Sequence, residues 1–141
     1  MYDLDDLIEH YEAKTIAEIF SEDGEEYFRK CESEVLRGFG GKKNFVVATG
    51  GGTPCFYDNM EWMNINGITI WIDQPVDELM IRLQPEKAHR PLIKNLNDAE
   101  LRSFLTNKLA ERCPYYCMAQ YHLKGENISQ DSFAEIIKQH A

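Results

Sequence analysis

No run of about 18 apolar residues occurs in the chain, the length that a membrane-spanning helix requires. The first ten residues, MYDLDDLIEH, are acidic where an export signal is basic and then apolar. No membrane association is expected, and the cytoplasm is the expected compartment. Positive charge is scarce: 15 Lys and Arg stand against 24 Asp and Glu, a net charge of -9. Phosphate backbones are held by an excess of cationic side chains, so nucleic acid is excluded as a broad-surface partner. A pocket for one small anion needs only a few arginines. The four cysteines, Cys31, Cys55, Cys113 and Cys117, include no C-x-x-C pair, and read as reduced packing residues. Cys113, Cys117 and His122 offer three zinc ligands without a clear fourth, a minor alternative. Neither repeats nor low-complexity segments occur. What is present, 43% hydrophobic residues in 141, suffices for one domain with a sizeable core.

Residues 6–39 read as three helical pieces, the second opened by the capping-box pattern TIAE at Thr15–Glu18 and the third starting near Asp23. Tyr27, Phe28, Cys31, Val35, Leu36 and Phe39 make one apolar stripe at helical spacing. NFVVAT (44–49) is continuously apolar after its first residue and predicts a strand buried on both faces of a parallel sheet. A short helix from Asp58 to Gly67 leads into a second buried strand, ITIWID (68–73). QPVDELMIRL predicts a helix with Pro75 in its first turn. Residues 85–96 are expected to be a flexible loop. A helix follows from Asn97, with Leu101, Phe104, Leu105 and Leu109 on one face, and ends at Arg112 and Cys113, before Pro114. A strand at 119–123 and a closing helix with Phe133, Ile136 and Ile137 inward complete the chain. Helices alternating with buried strands give an α/β fold, a three-layer parallel sheet flanked by helices.

Ligands in such folds bind beyond the carboxyl ends of the strands. The glycines of NFVVATGGGTP, Gly50, Gly51 and Gly52, stand at one of those ends. Three in a row favour a ligand lying against bare backbone; a turn needing positive φ would be served by one. Asp3 and Asp5, spaced i and i+2, share a face if a strand ends there, and paired carboxylates serve as Mg²⁺ ligands or hydroxyl acceptors. An acid cluster opening a helix is also a common cap, which is the plainer reading of the pair. Arg29, three residues before Glu32, reads by itself as half of a surface ion pair. Arg90 on the loop is able to close over an anion, and Arg112 otherwise neutralises a helix carboxyl terminus.

The stretches YDLDDLIE, TIAEIFSEDGEEYFRKCESEVL, FVVATGGGTPC, RL…HRPLI and LAERCPYYCMAQY together cover almost the whole chain. In order and spacing the chain resembles the shikimate kinases, P-loop kinases that phosphorylate the 3-hydroxyl of shikimate with ATP and Mg²⁺ in aromatic amino-acid biosynthesis. The resemblance implies that Asp5 accepts hydrogen bonds from a shikimate hydroxyl and takes the proton of the attacking 3-OH, while Asp3 helps hold Mg²⁺. It also implies that Arg29 and Arg112 clamp the shikimate carboxylate, that Gly50, Gly51 and Gly52 lie against the ring with Gly51 closest, and that Arg90, on a lid at 85–96, swings over the phosphates. Residues 124–129 would lie near adenine, with no individual residue assigned.

The same resemblance implies a feature that these residues do not contain. Family members place a strand, then G-x-x-x-x-G-K-[ST], then a helix ahead of the D-x-D segment; here Lys42 and Lys43 follow GFGG, with no Ser or Thr after them and a strand following instead of preceding. The expectation is a P-loop kinase-like domain over 1–141 with its central first strand missing, through a late-assigned start or a true truncation. The chain alone is expected to fold poorly and to catalyse little or nothing. The alternative is a catalytically silent shikimate-binding relative, or a fragment that needs another chain.

Overall fold

The computed structural model describes residues 1–90 and 92–140; Pro91, part of the HRPLI motif, lies outside the described residues. The chain opens with strand β1 (Tyr2–Asp3) and helices α1 (Leu4–Glu12), α2 (Ile16–Glu22) and α3 (Gly24–Arg37). The capping box at α2 is present: Thr15 Oγ1 accepts from Glu18 N–H, and Glu18 Oε1 accepts from Thr15 N–H. Asp23 starts α3 without a side-chain cap. Phe28, Cys31, Leu36 and Phe39 of the stripe are buried against Leu4, Ile8 and Ile19. Tyr27 is exposed instead, its hydroxyl donating to Glu12.

Strand β2 (Val47–Ala48) pairs in parallel with β1. Only two residues join this ladder, both half-buried, and Val46 is exposed. The expected strand buried on both faces is not formed: among the described residues β2 pairs only with β1, over two residues, and neither of them is fully buried. A turn of 3₁₀ helix at Thr53–Cys55 leads to α4 (Asn59–Asn66), whose preceding Asp58 takes a left-handed backbone with no side-chain cap. Strand β3 (Ile70–Asp73) pairs in parallel with β4 (Tyr121–Lys124). Between them run α5 (Val76–Leu83), a 3₁₀ turn at Gln84–His89 and α6 (Asp98–Tyr116); α7 (Gln130–Gln139) closes the chain. Ile136 of α7 is buried, but Ile137 points to solvent.

The parallel strands do not form one sheet: among the described residues β1–β2 and β3–β4 share no ladder. The two pairs are linked through packing of the Thr53–Cys55 turn on both α3 and α6. Asn64 Nδ2, at the end of α4, also donates to the Met118 carbonyl ahead of β4. Among the described residues of 85–96, the segment is held in part. Ile93 is buried, and the Ile93 and Lys94 N–H groups both donate to the Arg90 carbonyl. Helix α6 runs on through Pro114 to Tyr116 instead of ending at Arg112 and Cys113. Among the described residues no helix is long and apolar enough to cross a membrane.

Candidate active site

The glycine triplet does not need a left-handed backbone. Positive φ among glycines occurs at Gly24, Gly41 and Gly125, so at Gly51 and Gly52 the reason for glycine is space. A Cβ built on Gly51 would stand 2.6 Å from Arg112 Nη1 and 3.2 Å from the Tyr116 hydroxyl. On Gly52 it would stand 2.5 and 2.7 Å from the two terminal nitrogens of Arg29. On Gly50 it would make ordinary contact with Thr53, Glu32 and Asp5. Two of the three arginines singled out from the sequence, Arg29 and Arg112, therefore converge on neighbouring residues of the triplet, although they stand 83 positions apart in the chain (112 − 29).

The two arginines are held differently. Arg29 is buried, with Nη1 donating to Glu32 Oε1 at 3.1 Å and Nη2 to Glu25 Oε1 at 3.3 Å, and its guanidinium lies 4.5 Å over the Phe56 ring. The surface pair expected with Glu32 is thus a buried one, Glu32 being only 1% exposed. Thr53 Oγ1 donates to the other Glu32 oxygen at 2.8 Å, and Asn59 Nδ2 donates to the Thr53 carbonyl at 2.9 Å. The chain of bonds fixes Arg29 relative to the triplet. Arg112 has no carboxylate within ion-pair distance among the described residues. Tyr116, one helical turn further on, donates its hydroxyl proton to the Gly51 carbonyl.

Asp3 and Asp5 are not two members of one strand. Asp3 ends β1 and caps α1, its Oδ1 accepting from Asp5 N–H at 2.9 Å, while Asp5 lies in the first turn of α1. The short strand explains the difference: β1 gives way to helix at Leu4. Burial, then the Asp3 and Glu32 carboxylates, raise the Asp5 carboxyl to about 6, against the lowering field of Arg90. Arg90 itself donates from Nη2 to Glu86 Oε2 at 2.9 Å and is exposed. His122 does not join the two cysteines: its Nε2 pairs with Asp73 Oδ2 at 2.7 Å and its ring stacks on Trp71. Among the described residues no three His, Cys, Asp or Glu side chains are grouped to hold a metal ion.

The family model for shikimate kinase matches residues 1–141. The chain belongs to the shikimate kinase family. It is 43% identical over 133 residues to a shikimate kinase of Bacteroides fragilis, covering 94% of this chain and 74% of the relative. To a shikimate kinase of Bacteroides thetaiotaomicron it is 41% identical over 126 residues, 89% of this chain and 72% of the relative. The crystal structure of shikimate kinase from B. thetaiotaomicron superposes with a TM-score of 0.83 at 38% identity, covering 99% of this chain and 80% of that one. The Acinetobacter baumannii shikimate kinase, solved in complex with shikimate, gives 0.84 at 31% identity, covering 99% and 76%. Shikimate kinases are phosphotransferases, and the family implies ATP as phosphoryl donor.

Glu32, Thr53 and Tyr116 escaped the sequence reading as site residues. Glu32 was visible only as half of a pair, and Tyr116 was hidden because Pro114 signalled the end of its helix.

The triplet gives two contrasting expectations for alanine. Gly52→Ala drives a methyl into a guanidinium that Glu32 holds in place, and is expected to cost about 1 to 3 kcal/mol of stability. Gly51→Ala meets the far end of Arg112, which has no carboxylate partner among the described residues, and crowds the Tyr116 hydroxyl, so it is expected to cost less, about 0.5 to 1 kcal/mol. Thermal unfolding of the two variants checks the difference.

Proposed function

We propose that this chain carries the shikimate-binding and hydroxyl-activating part of a shikimate kinase. The convergence of Arg29 and Arg112 on Gly52 and Gly51 is the observation that carries the reading. Two planar forks aimed at one patch of side-chain-free backbone suit the planar carboxylate of a small ring. Shikimate is such a molecule, and the A. baumannii relative was solved with it. In this reading Arg29 and Arg112 take the carboxylate, and Gly50, Gly51 and Gly52 form the floor, Gly51 closest to the ring. Asp5 accepts from the hydroxyl that is phosphorylated; with its carboxyl raised to about 6 it is ionised near neutrality and well matched to take that proton as phosphorus–oxygen bonding develops.

Arg90, the basic group of the 85–96 lid, lies near enough to Asp5 for its field to be felt there. It would meet the phosphates of ATP and stabilise charge as the phosphoryl group moves. Asp3 fits a hydrated Mg²⁺. It is exposed and only one of its oxygens is engaged by the helix cap, and Mg²⁺ binds through one or two carboxylates with water and phosphate oxygens completing the shell. When bound, the ion would neutralise phosphate charge. A cytoplasmic enzyme is the accompanying reading.

The 141 residues contain no G-x-x-x-x-G-K-[ST], and phosphoryl transfer depends on positioned charge around the phosphates. Calorimetry with shikimate and then ATP tests the division of labour. Shikimate is expected to bind without turnover by this chain alone. Absence of shikimate binding to folded protein would overturn the assignment.

The split sheet favours a related reading, that the chain works with a further strand. Ile72 of β3 and Val46 beside β2 are exposed, and two-residue ladders are marginal. Joining a β-branched strand and a phosphate loop ahead of Met1 is expected to raise the thermal midpoint by more than 10 °C and to restore turnover. An unchanged midpoint in differential scanning calorimetry would count against it.

A further inference from the structure

Cys113 and Cys117 lie one turn apart near the end of α6, with their sulfurs 3.4 Å apart. Cys117 is exposed and Cys113 half-buried, and both are free thiols. The turn that carries them is the one that presents Arg112 and Tyr116 to the glycine triplet. Pro114 has no N–H to donate back along the helix, so this turn lacks one rung and yields more easily than a regular one. Sulfurs at that separation need to approach by little more than an ångström to reach a bond of about 2.05 Å.

We propose that Cys113 and Cys117 form a reactive dithiol that takes up small disulfides and closes to an intrahelical disulfide beside the triplet. The Cys117 thiolate attacks one sulfur of the small disulfide, forming a mixed disulfide and releasing one thiol. The Cys113 sulfur then attacks Cys117, releasing the second thiol. Two protein thiols are oxidised, the small disulfide is reduced to two thiols, and the two protein protons pass to the leaving groups. The hydrogen bond with Cys113, then burial and the charge of Cys113, push the Cys117 thiol up, so exchange runs faster in mildly alkaline buffer. Closure pulls the last turn inward and shifts Tyr116 and Arg112 against Gly51. This last consequence rests on the proposed shikimate site; the thiol chemistry does not.

Oxidised glutathione at pH 8 is the probe. Trypsin releases residues 113–124 as one peptide, separate from those holding Cys31 and Cys55. The expected product is that peptide lighter by two hydrogens, with two of the four thiols lost. Cys113→Ser is expected to stop at a glutathione adduct on Cys117. Dithiothreitol restores the thiols. Two separate adducts on peptide 113–124, or pairing with Cys55, would overturn the proposal. Shikimate affinity, measured before and after oxidation, is expected to fall at least tenfold. Closure with unchanged affinity would overturn the coupling to the site, and failure of shikimate to bind the reduced chain would overturn the site assignment while leaving the dithiol result standing.

Discussion

Arg29→Ala and Arg112→Ala are both expected to weaken shikimate binding, by roughly 30- to 700-fold each, or about 2 to 4 kcal/mol. They are expected to differ sharply in stability. Arg29 is buried against Glu32, which is 1% exposed, and removing it strands a carboxylate whose only other polar partner among the described residues is the Thr53 hydroxyl. Breaking a buried pair from one side costs about 3 to 5 kcal/mol, a large share of what a domain of this size possesses. Arg112 has no ion-pair partner among the described residues, and its loss should leave the unfolding midpoint nearly unchanged. A double variant, Arg29→Met with Glu32→Leu, removes both charges and is expected to recover most of the stability and none of the affinity. Titration calorimetry beside thermal unfolding separates these outcomes. Equal stability loss in the two single variants would mean that the Glu32 pairing is not structural.

Asp5→Asn is expected to abolish most of the chemistry while strengthening the fold. In a chain joined to a phosphate loop, loss of the hydroxyl acceptor should lower turnover by roughly 10²- to 10⁴-fold. The stability effect follows from the direction of the shift: a carboxyl raised from 3.8 to about 6 in the folded chain holds its proton more tightly there than in the unfolded one. The Asp5 contribution to folding is therefore fully present below about pH 4, is lost as the pH rises to about 6, and stays lost above it. A shift of that size corresponds to about 3 kcal/mol unscreened, and to about 1 kcal/mol for a side chain in partial contact with water. Asp5→Asn should raise the unfolding midpoint at pH 8 by a few degrees and leave it unchanged at pH 4. A midpoint insensitive to pH in the native chain would show that Asp5 ionises freely and is not tuned by Asp3 and Glu32.

The helical half of the fold was legible because its signals are local. A capping box needs four residues and an apolar stripe needs a few turns; the box formed as read at Thr15–Glu18, and the stripe did so except at Tyr27, which is exposed. The strands were less legible. Val46 and Val47 have the composition of a buried strand, but burial depends on neighbours that come from elsewhere, and β2 has only β1. At the candidate site, Arg29 and Arg112 were visible as residues, and the glycines as a demand for space. The depth of the Arg29–Glu32 pair was not, since it is set by the Thr53 hydroxyl arriving 21 residues later in the chain. Tyr116 was missed for a local reason: the proline rule that usually ends a helix was overridden in the last turn of α6.

Among the described residues no ladder joins the two strand pairs, and in the proposed site that would give the ligand a mechanical office. Arg29 belongs to the body built on β1 and β2, with its core of Leu4, Ile8, Ile19 and Phe28, whereas Arg112 rides on the helix leading into β4. A small acid gripped by both acts as a clasp across the seam. Its occupancy should slow proteolytic cutting throughout the second body, residues near Lys124 and Lys138 included, as well as at the points it touches.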